Sequence, residues 1–246
     1  MADIRIPPPR DGQPKVKADI PAMVAEFLGE LTVGDIIVEL VQNELDGGSR
    51  RTEIEITDEA LICTGNGEQI EPTGWDRLSF VIGAGTLVQA KVDGIGAKNH
   101  GIRACFLLGD RIVVQSDKQR IDLTARGQID EPDAFFPAAW DPEPDPTAPK
   151  RGVRVTVPMR TEPLAIAGRN ALTPPTPATL DELFDSAVEA APSRFLRLHA
   201  RPAMALRACF QKGQAGRQAD VHCAFDRQVR VVRTNLHAHC GEPGWT

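Results

Sequence analysis

Three polar side chains recur at helical spacing in one stretch of the sequence. Residues 33–46 read VGDIIVELVQNELD and place Glu39, Asn43 and Asp46 four and then three residues apart. At 100° per residue, these three side chains fall on one side of a helix. An amide oxygen is a hard ligand that suits Mg²⁺ bridging phosphates, and a carboxylate one turn earlier can polarise an attacking water. The pattern predicts a magnesium and water site, although solvated helix faces carry the same residue types.

Glycine-rich segments follow this helix in a regular succession. Glycines recur at 65–67, at 83–85 and at 94–101, and the last segment leads into a predicted helix. Glycine lets the backbone approach phosphate oxygens closely, and a helix N-terminus presents free N–H groups to an anion. Within these segments, the candidate phosphate-binding residues are Gly65, Gly67, Gly94, Gly96, Lys98, Asn99 and Gly101.

This succession resembles the GHKL superfamily, whose ATP-binding domains have the Bergerat fold, over roughly residues 30–160. The form Glu39-x3-Asn43-x2-Asp46 is similar to the motif of the topoisomerase, MutL, heat-shock-chaperone and MORC branches rather than the histidine kinases. The resemblance implies that Glu39 is the general base and Asn43 the Mg²⁺ ligand. It also implies that residues 94–101 form a lid over the phosphates of ATP.

Two positions depart from the family pattern, and both belong to the subsite for the base. Cys63 stands where the family has an aspartate that accepts a hydrogen bond from adenine, and Val153 stands where it has a threonine. A site without these polar groups discriminates less between bases, because a wrong base leaves nothing unpaired. We expect phosphate and Mg²⁺ binding to be retained and base recognition to be relaxed or rebuilt, with Thr64 as one candidate replacement. The alternative is that Cys63 and Val153 merely pack in a pocket that still selects adenine.

The expected function is therefore Mg²⁺-dependent binding and hydrolysis of ATP, which closes the lid or drives dimerisation, with base identity left open. The resemblance implies a homodimer, in which the proline-rich arm at 1–20 could exchange between protomers. The alternative function is a nucleotide-sensing or interaction module that does not hydrolyse its ligand. Intact Glu39 favours hydrolysis, whereas Cys63 and Val153 favour the sensing module.

Composition places the chain among ordinary globular proteins. Its 246 residues are 41% hydrophobic and 25% charged, and no run of eighteen apolar residues occurs, so no membrane partner is expected. The first residues lack the pattern of a secretory signal, and five cysteines in a chain this long predict reduced, mostly buried thiols. Both features predict a cytoplasmic protein.

The pattern of elements predicts an α+β fold, a two-layer Bergerat-type sandwich with a smaller β-containing extension at the C-terminus. Helices are predicted near 21–31 and 33–46, and strand-like runs alternate through 52–63, 110–125 and 152–160. The predicted domains are the arm at 1–20, a nucleotide-binding domain at 21–170 and a basic extension at 178–246.

The extension differs from the rest of the chain in charge. Residues 191–246 contain nine Lys and Arg against three Asp and Glu, whereas the whole chain has a net charge of −6. The balance suggests a nucleic-acid or protein partner for residues 191–246. The alternative, which we favour, is a charged strand surface paired with acidic neighbours.

Overall fold

The computed structural model describes eight ranges of the chain: 20–79, 101–127, 130–131, 133–166, 170–198, 206–208, 216–223 and 227–234. The predicted arm, apart from its last residue, lies outside these ranges. Within them are four α-helices and one 3₁₀ helix, namely α1 (Ile20–Gly29), α2 (Val33–Asp46), α3 (Pro72–Ser79), the 3₁₀ helix Gly101–Leu107 and α4 (Pro177–Leu198).

The described strands form one sheet. They are β1 (Arg51–Thr57), β2 (Ala60–Gly65), β3 (Arg111–Ser116), β4 (Gln119–Thr124), β5 (Ala138–Ala139), β6 (Glu143–Pro144), β7 (Arg154–Pro158), β8 (Leu206–Ala208), β9 (Gly216–Cys223) and β10 (Arg227–Thr234). Their order is β5-β4-β3-β7-β2-β1-β10-β9-β8, with β6 paired to β4. Neighbouring strands are antiparallel except β1 and β10, which are parallel. The predicted α+β class is confirmed, and the sheet runs on across the predicted domain boundary.

Strand β1 shows why one face of the sheet is covered. Thr52, Ile54 and Ile56 are buried, whereas Arg51, Glu53 and Glu55 between them are exposed. Side chains alternate between the two faces of a strand, so the buried set lies on the face toward the helices. Helix α2 contributes the apolar residues Ile36, Ile37, Leu40 and Val41 to the same core.

Both ends of α2 are fixed by local hydrogen bonds. At the start, the backbone N–H and the hydroxyl of Thr32 both donate to the carboxylate of Asp35, at 2.8 and 2.7 Å. At the end, Gly48 has a φ of +73°, and the N–H of Ser49 donates to the carbonyl of Glu44 at 2.9 Å. The first arrangement is related to a capping box and the second is a glycine C-cap. The predicted bounds of α2 are confirmed.

Arginines of the basic extension have acidic partners within the fold. Arg233 on β10 is buried, and its guanidinium lies 2.9 Å from Asp58 in the turn between β1 and β2. Arg217 on β9 is more exposed; it lies 2.5 Å from Asp185 and stacks over the ring of Phe184 on α4. These pairs are the intramolecular arrangement that we favoured for the basic strands.

The described part of the chain contains no helix that combines the length and the apolar character needed to cross a membrane.

We predict that Arg233→Met and Arg217→Met differ sharply in their effect on stability. Removing Arg233 leaves Asp58 without its buried partner, which lowers the free energy of unfolding by roughly 3 kcal/mol. Removing the more exposed Arg217 costs less than about 1 kcal/mol. Urea unfolding of both variants beside the wild type measures the difference. Equal losses would show that the Arg233 pair is no stronger than an exposed one.

Candidate functional site

The carboxylate of Glu39 lies directly against Gly101. Glu39 is half-buried on α2, and Gly101 is the first residue of the 3₁₀ helix. A Cβ added to Gly101 would overlap Oε2 of Glu39 and would lie 2.6 Å from its Cδ. A side chain at position 101 would displace the Glu39 carboxylate from its present position. The predicted general base and the last residue of the predicted lid are neighbours.

The other two polar residues of the α2 motif lie further along the same helix. The Asn43 side chain is exposed, and Asp46 is half-buried. In the described part of the chain, no group of three or more His, Cys, Asp and Glu side chains is placed to hold a metal ion. Mg²⁺ is usually bound by one or two protein oxygens together with substrate phosphates and water, so it does not need such a cluster. The amide oxygen of Asn43 is the protein atom that would hold the ion.

Most of the predicted lid lies outside the described residues: Gly94, Gly96, Lys98 and Asn99. A hydrogen bond joins the described residues that flank this segment. Arg103 on the 3₁₀ helix is buried, and its Nη2 lies 3.4 Å from the carbonyl of Leu78 on α3. Burial lowers the pKa of Arg103 to about 10, so its guanidinium stays charged at neutral pH. Sequence reasoning did not single out this buried cation.

Other residues of the protein occupy the space that side chains at positions 65 and 67 would need. A Cβ on Gly67 would lie 2.7 Å from the hydroxyl oxygen and 2.8 Å from the backbone nitrogen of Ser49. A Cβ on Gly65 would overlap Oε2 of Glu44 and lie 2.6 Å from the same hydroxyl oxygen. The end of β2 is thus packed tightly against the turn that follows α2. This packing accounts for both glycines without a ligand.

The two positions that differ from the GHKL motif lie diagonally opposite each other. Cys63 is 1% exposed on β2 and pairs with Val155 on β7, whereas half-buried Val153 precedes β7 and lies opposite Gly65. The carbonyl of Val153 accepts the N–H of Gly65 at 2.9 Å. Burial raises the pKa of the Cys63 thiol well above its usual range, so the thiol is neutral. Thr64 points to the opposite face of β2 from Cys63, so it does not replace the missing polar group.

A carboxyl group that sequence reasoning missed lies against Gly65, two residues along β2 from Cys63. Glu44 on α2 is 5% exposed, and the hydroxyl of Ser49 donates to its Oε2 at 2.6 Å. Burial raises the pKa of Glu44 to about 7, and the hydrogen bond from Ser49 opposes that rise. The negative charge of Glu44 in turn helps to raise the pKa of Cys63. The helix therefore places a carboxyl group on the face of β2 that carries Cys63 and Gly65.

A signal for Glu44 was present in the sequence. It lies four residues after Leu40 and seven after Ile37, both of which are buried on the core face of α2. Residues at these spacings share one helix face. A charged residue on an apolar face needs a partner or a function, because burying an isolated carboxylate is costly.

Comparison with known proteins does not assign the chain to a family. No protein family model matches it, and no curated protein matches it. Among solved structures, it is similar to the amino-terminal domain of a DNA repair protein, with a TM-score of 0.37 and 18% identity. The similarity covers 57% of this chain and 39% of that one. At this TM-score, the resemblance carries no argument about fold or function.

We predict that Gly101→Ala is destabilising only while Glu39 is present. The added methyl group would overlap the Glu39 carboxylate, so the variant loses about 1–3 kcal/mol of unfolding free energy. In a Glu39→Ala background the overlapping atoms are gone, and the same change costs much less. Denaturant unfolding of the four proteins in this double-mutant cycle measures the coupling. Identical losses in both backgrounds would mean that Gly101 is needed for another reason.

We also predict that Glu44 makes stability depend on pH. The unfolded chain releases this proton near the ordinary pKa of 4.5, whereas the folded chain holds it up to about 7. The folded state binds more protons between these values, so the free energy of unfolding falls as pH rises through that window. The loss is roughly 3 kcal/mol and is complete above the folded-state pKa.

The Glu44→Gln variant isolates this effect, because it keeps the side chain's size and its acceptor for Ser49 but does not titrate. Urea unfolding at pH 5 and pH 8 should show a smaller fall for Glu44→Gln than for the wild type. If both proteins lose the same stability between these pH values, another group is responsible.

Proposed function

We propose that this chain is a cytoplasmic nucleotide-binding protein of the GHKL type, with a Bergerat-type fold, that hydrolyses ATP with Mg²⁺. The observation that carries the proposal is the contact between Glu39 and Gly101. This contact places the Glu39 carboxylate beside Gly101, the last residue of the segment 94–101. The sequence motifs predict that this segment binds the phosphates. The free thiols of Cys63 and Cys105 agree with a reducing compartment.

Each predicted residue has a role in this proposal. Glu39 orients and deprotonates the attacking water, which requires its carboxylate to lie near the terminal phosphate. Asn43 is exposed one turn further along α2, where its amide oxygen can hold Mg²⁺. The ion would neutralise phosphate charge during hydrolysis. Asp46 and the residues Gly94, Gly96, Lys98, Asn99 and Gly101 complete the polar lining around the phosphates.

Closure of the lid is the step that couples hydrolysis to an output. Residues 80–100 connect α3 to the 3₁₀ helix, and Arg103 links the described ends of this connection. A segment fixed at both ends can fold over bound phosphates and exclude water from them. We propose that the closed state is a homodimer, which light scattering with a non-hydrolysable analogue would detect as a doubled mass.

A second candidate is a module that binds a nucleotide without turnover. The burial of Cys63 favours it, because a neutral thiol is only a weak hydrogen-bonding group at the predicted base subsite. Nucleic-acid binding through the basic strands has less support, since Arg217 and Arg233 are engaged with Asp185 and Asp58.

We predict that calorimetric titration with non-hydrolysable ATP and GTP analogues will show binding that requires Mg²⁺. Asn43→Ala should abolish this magnesium-dependent binding. Glu39→Ala should still bind nucleotide but should release phosphate from ATP about 10²–10⁴ times more slowly, because it lacks the general base.

Glu59→Ala is the matched control, since Glu59 is exposed in the turn at the other end of β2 from Gly65. It should behave as the wild type in both assays. Nucleotide binding without phosphate release in the wild type would favour the sensing module. A complete absence of binding would refute both candidates.

A further inference from the structure

The carboxyl group of Glu44 occupies the space beside Gly65 on the inner face of β2. It fills the volume that a side chain at position 65 would need. Cys63 and Gly65 are two residues apart on this strand, so they share a face. The carboxyl therefore lies on the same face of β2 as the Cys63 thiol.

The predicted base subsite therefore contains a carboxyl group, although the residues at positions 63 and 153 do not supply one. Cys63 is neutral and Val153 is apolar, and neither offers a strong acceptor to an amino group. A carboxyl group keeps at least one acceptor oxygen in either protonation state. Glu44 can thus supply from α2 what the strand lacks.

We propose that Glu44 contacts the base of the bound nucleotide and accepts a hydrogen bond from the exocyclic amino group of adenine. This inference rests on the proposed function, because the predicted motifs place the base beside Cys63. It makes Glu44 the residue that determines base specificity.

The hydrogen bond from Ser49 orients the carboxyl. Oε2 accepts the hydroxyl of Ser49 at 2.6 Å, and Ser49 is itself held by its backbone bond to the carbonyl of Glu44. In the proposed complex, Oε1 accepts the hydrogen bond from the base. Because position 65 is glycine, no side chain at that position separates the carboxyl from β2.

The buried position of Glu44 gives this hydrogen bond its discriminating power. A polar group that is 5% exposed and loses its ligand partner is poorly compensated by water. A nucleotide without the amino group would leave the acceptor oxygen unpaired. Sites that hydrogen-bond a ligand group reject analogues lacking it more strongly than apolar pockets reject a missing methylene.

Calorimetric titration can test the assignment with three probes in the presence of Mg²⁺: a non-hydrolysable ATP analogue, the same analogue without the 6-amino group, and inorganic tripolyphosphate. The wild type should prefer the amino-bearing nucleotide by about tenfold or more. Glu44→Ala should reduce that preference to near one and leave tripolyphosphate binding unchanged.

Two further variants separate a direct contact from a loss of structure. Glu44→Gln retains an acceptor oxygen and the bond from Ser49, so it should keep most of the preference. Glu59→Ala should also match the wild type, as an exposed glutamate away from Gly65.

The possible failures are distinguishable. A Glu44→Ala protein that binds nucleotides with the wild-type preference would overturn the assignment of Glu44 and leave the proposed function standing. A wild type that binds tripolyphosphate, and that binds the two nucleotide analogues equally well, would also overturn the assignment of Glu44 and leave the proposed function standing. A wild type that binds none of the three probes would overturn the proposed function, and this inference with it.

Discussion

The close approach of α2 to the end of β2 is the constraint on which the candidate site depends. The helix ends in a glycine turn, and Ser49 from that turn packs against Gly65 and Gly67 at distances that exclude any Cβ. With its C-terminal end held in this way, α2 can pack its apolar face on the sheet. The polar face is then fixed in rotation, which directs Glu39 toward the 3₁₀ helix.

The sheet is joined into one unit by a pairing that is distant in sequence. Strand β10 lies parallel to β1, and the ion pair between buried Arg233 and partly buried Asp58 joins them at the end of the β1–β2 hairpin. Burying an arginine requires a partner, because the desolvation cost is otherwise too large. Part of the basic charge of the extension therefore serves the fold. An excess of arginine is therefore weak evidence for nucleic-acid binding, because some of the arginines pair with acidic residues inside the fold.

Under the proposed GHKL assignment, Cys63 stands where the family has an aspartate, and Glu44 changes how that difference is interpreted. On the strand alone, the difference is the loss of a polar group. In the folded protein, an acidic group from α2 lies on the same face of β2, against Gly65, and the hydrogen bond from Ser49 holds it there. Restoring an aspartate at position 63 would bring two carboxyl groups together, which raises the pKa of at least one of them. The two positions form one unit and have to be varied together.

Features that depend on local interactions could be predicted from the sequence. The bounds of α2 follow from Thr32 with Asp35 and from the glycine turn, and alternation along β1 indicates which residues face the core. The α2 motif with Glu39 and Asn43 was also visible, because its spacing is a property of one helix. What lies opposite these residues is seen only in the folded chain: Gly101 against Glu39, Gly65 against Glu44, and β10 beside β1. Such contacts join segments far apart in the chain, and they arise from packing whole elements together, which no local pattern of residues encodes.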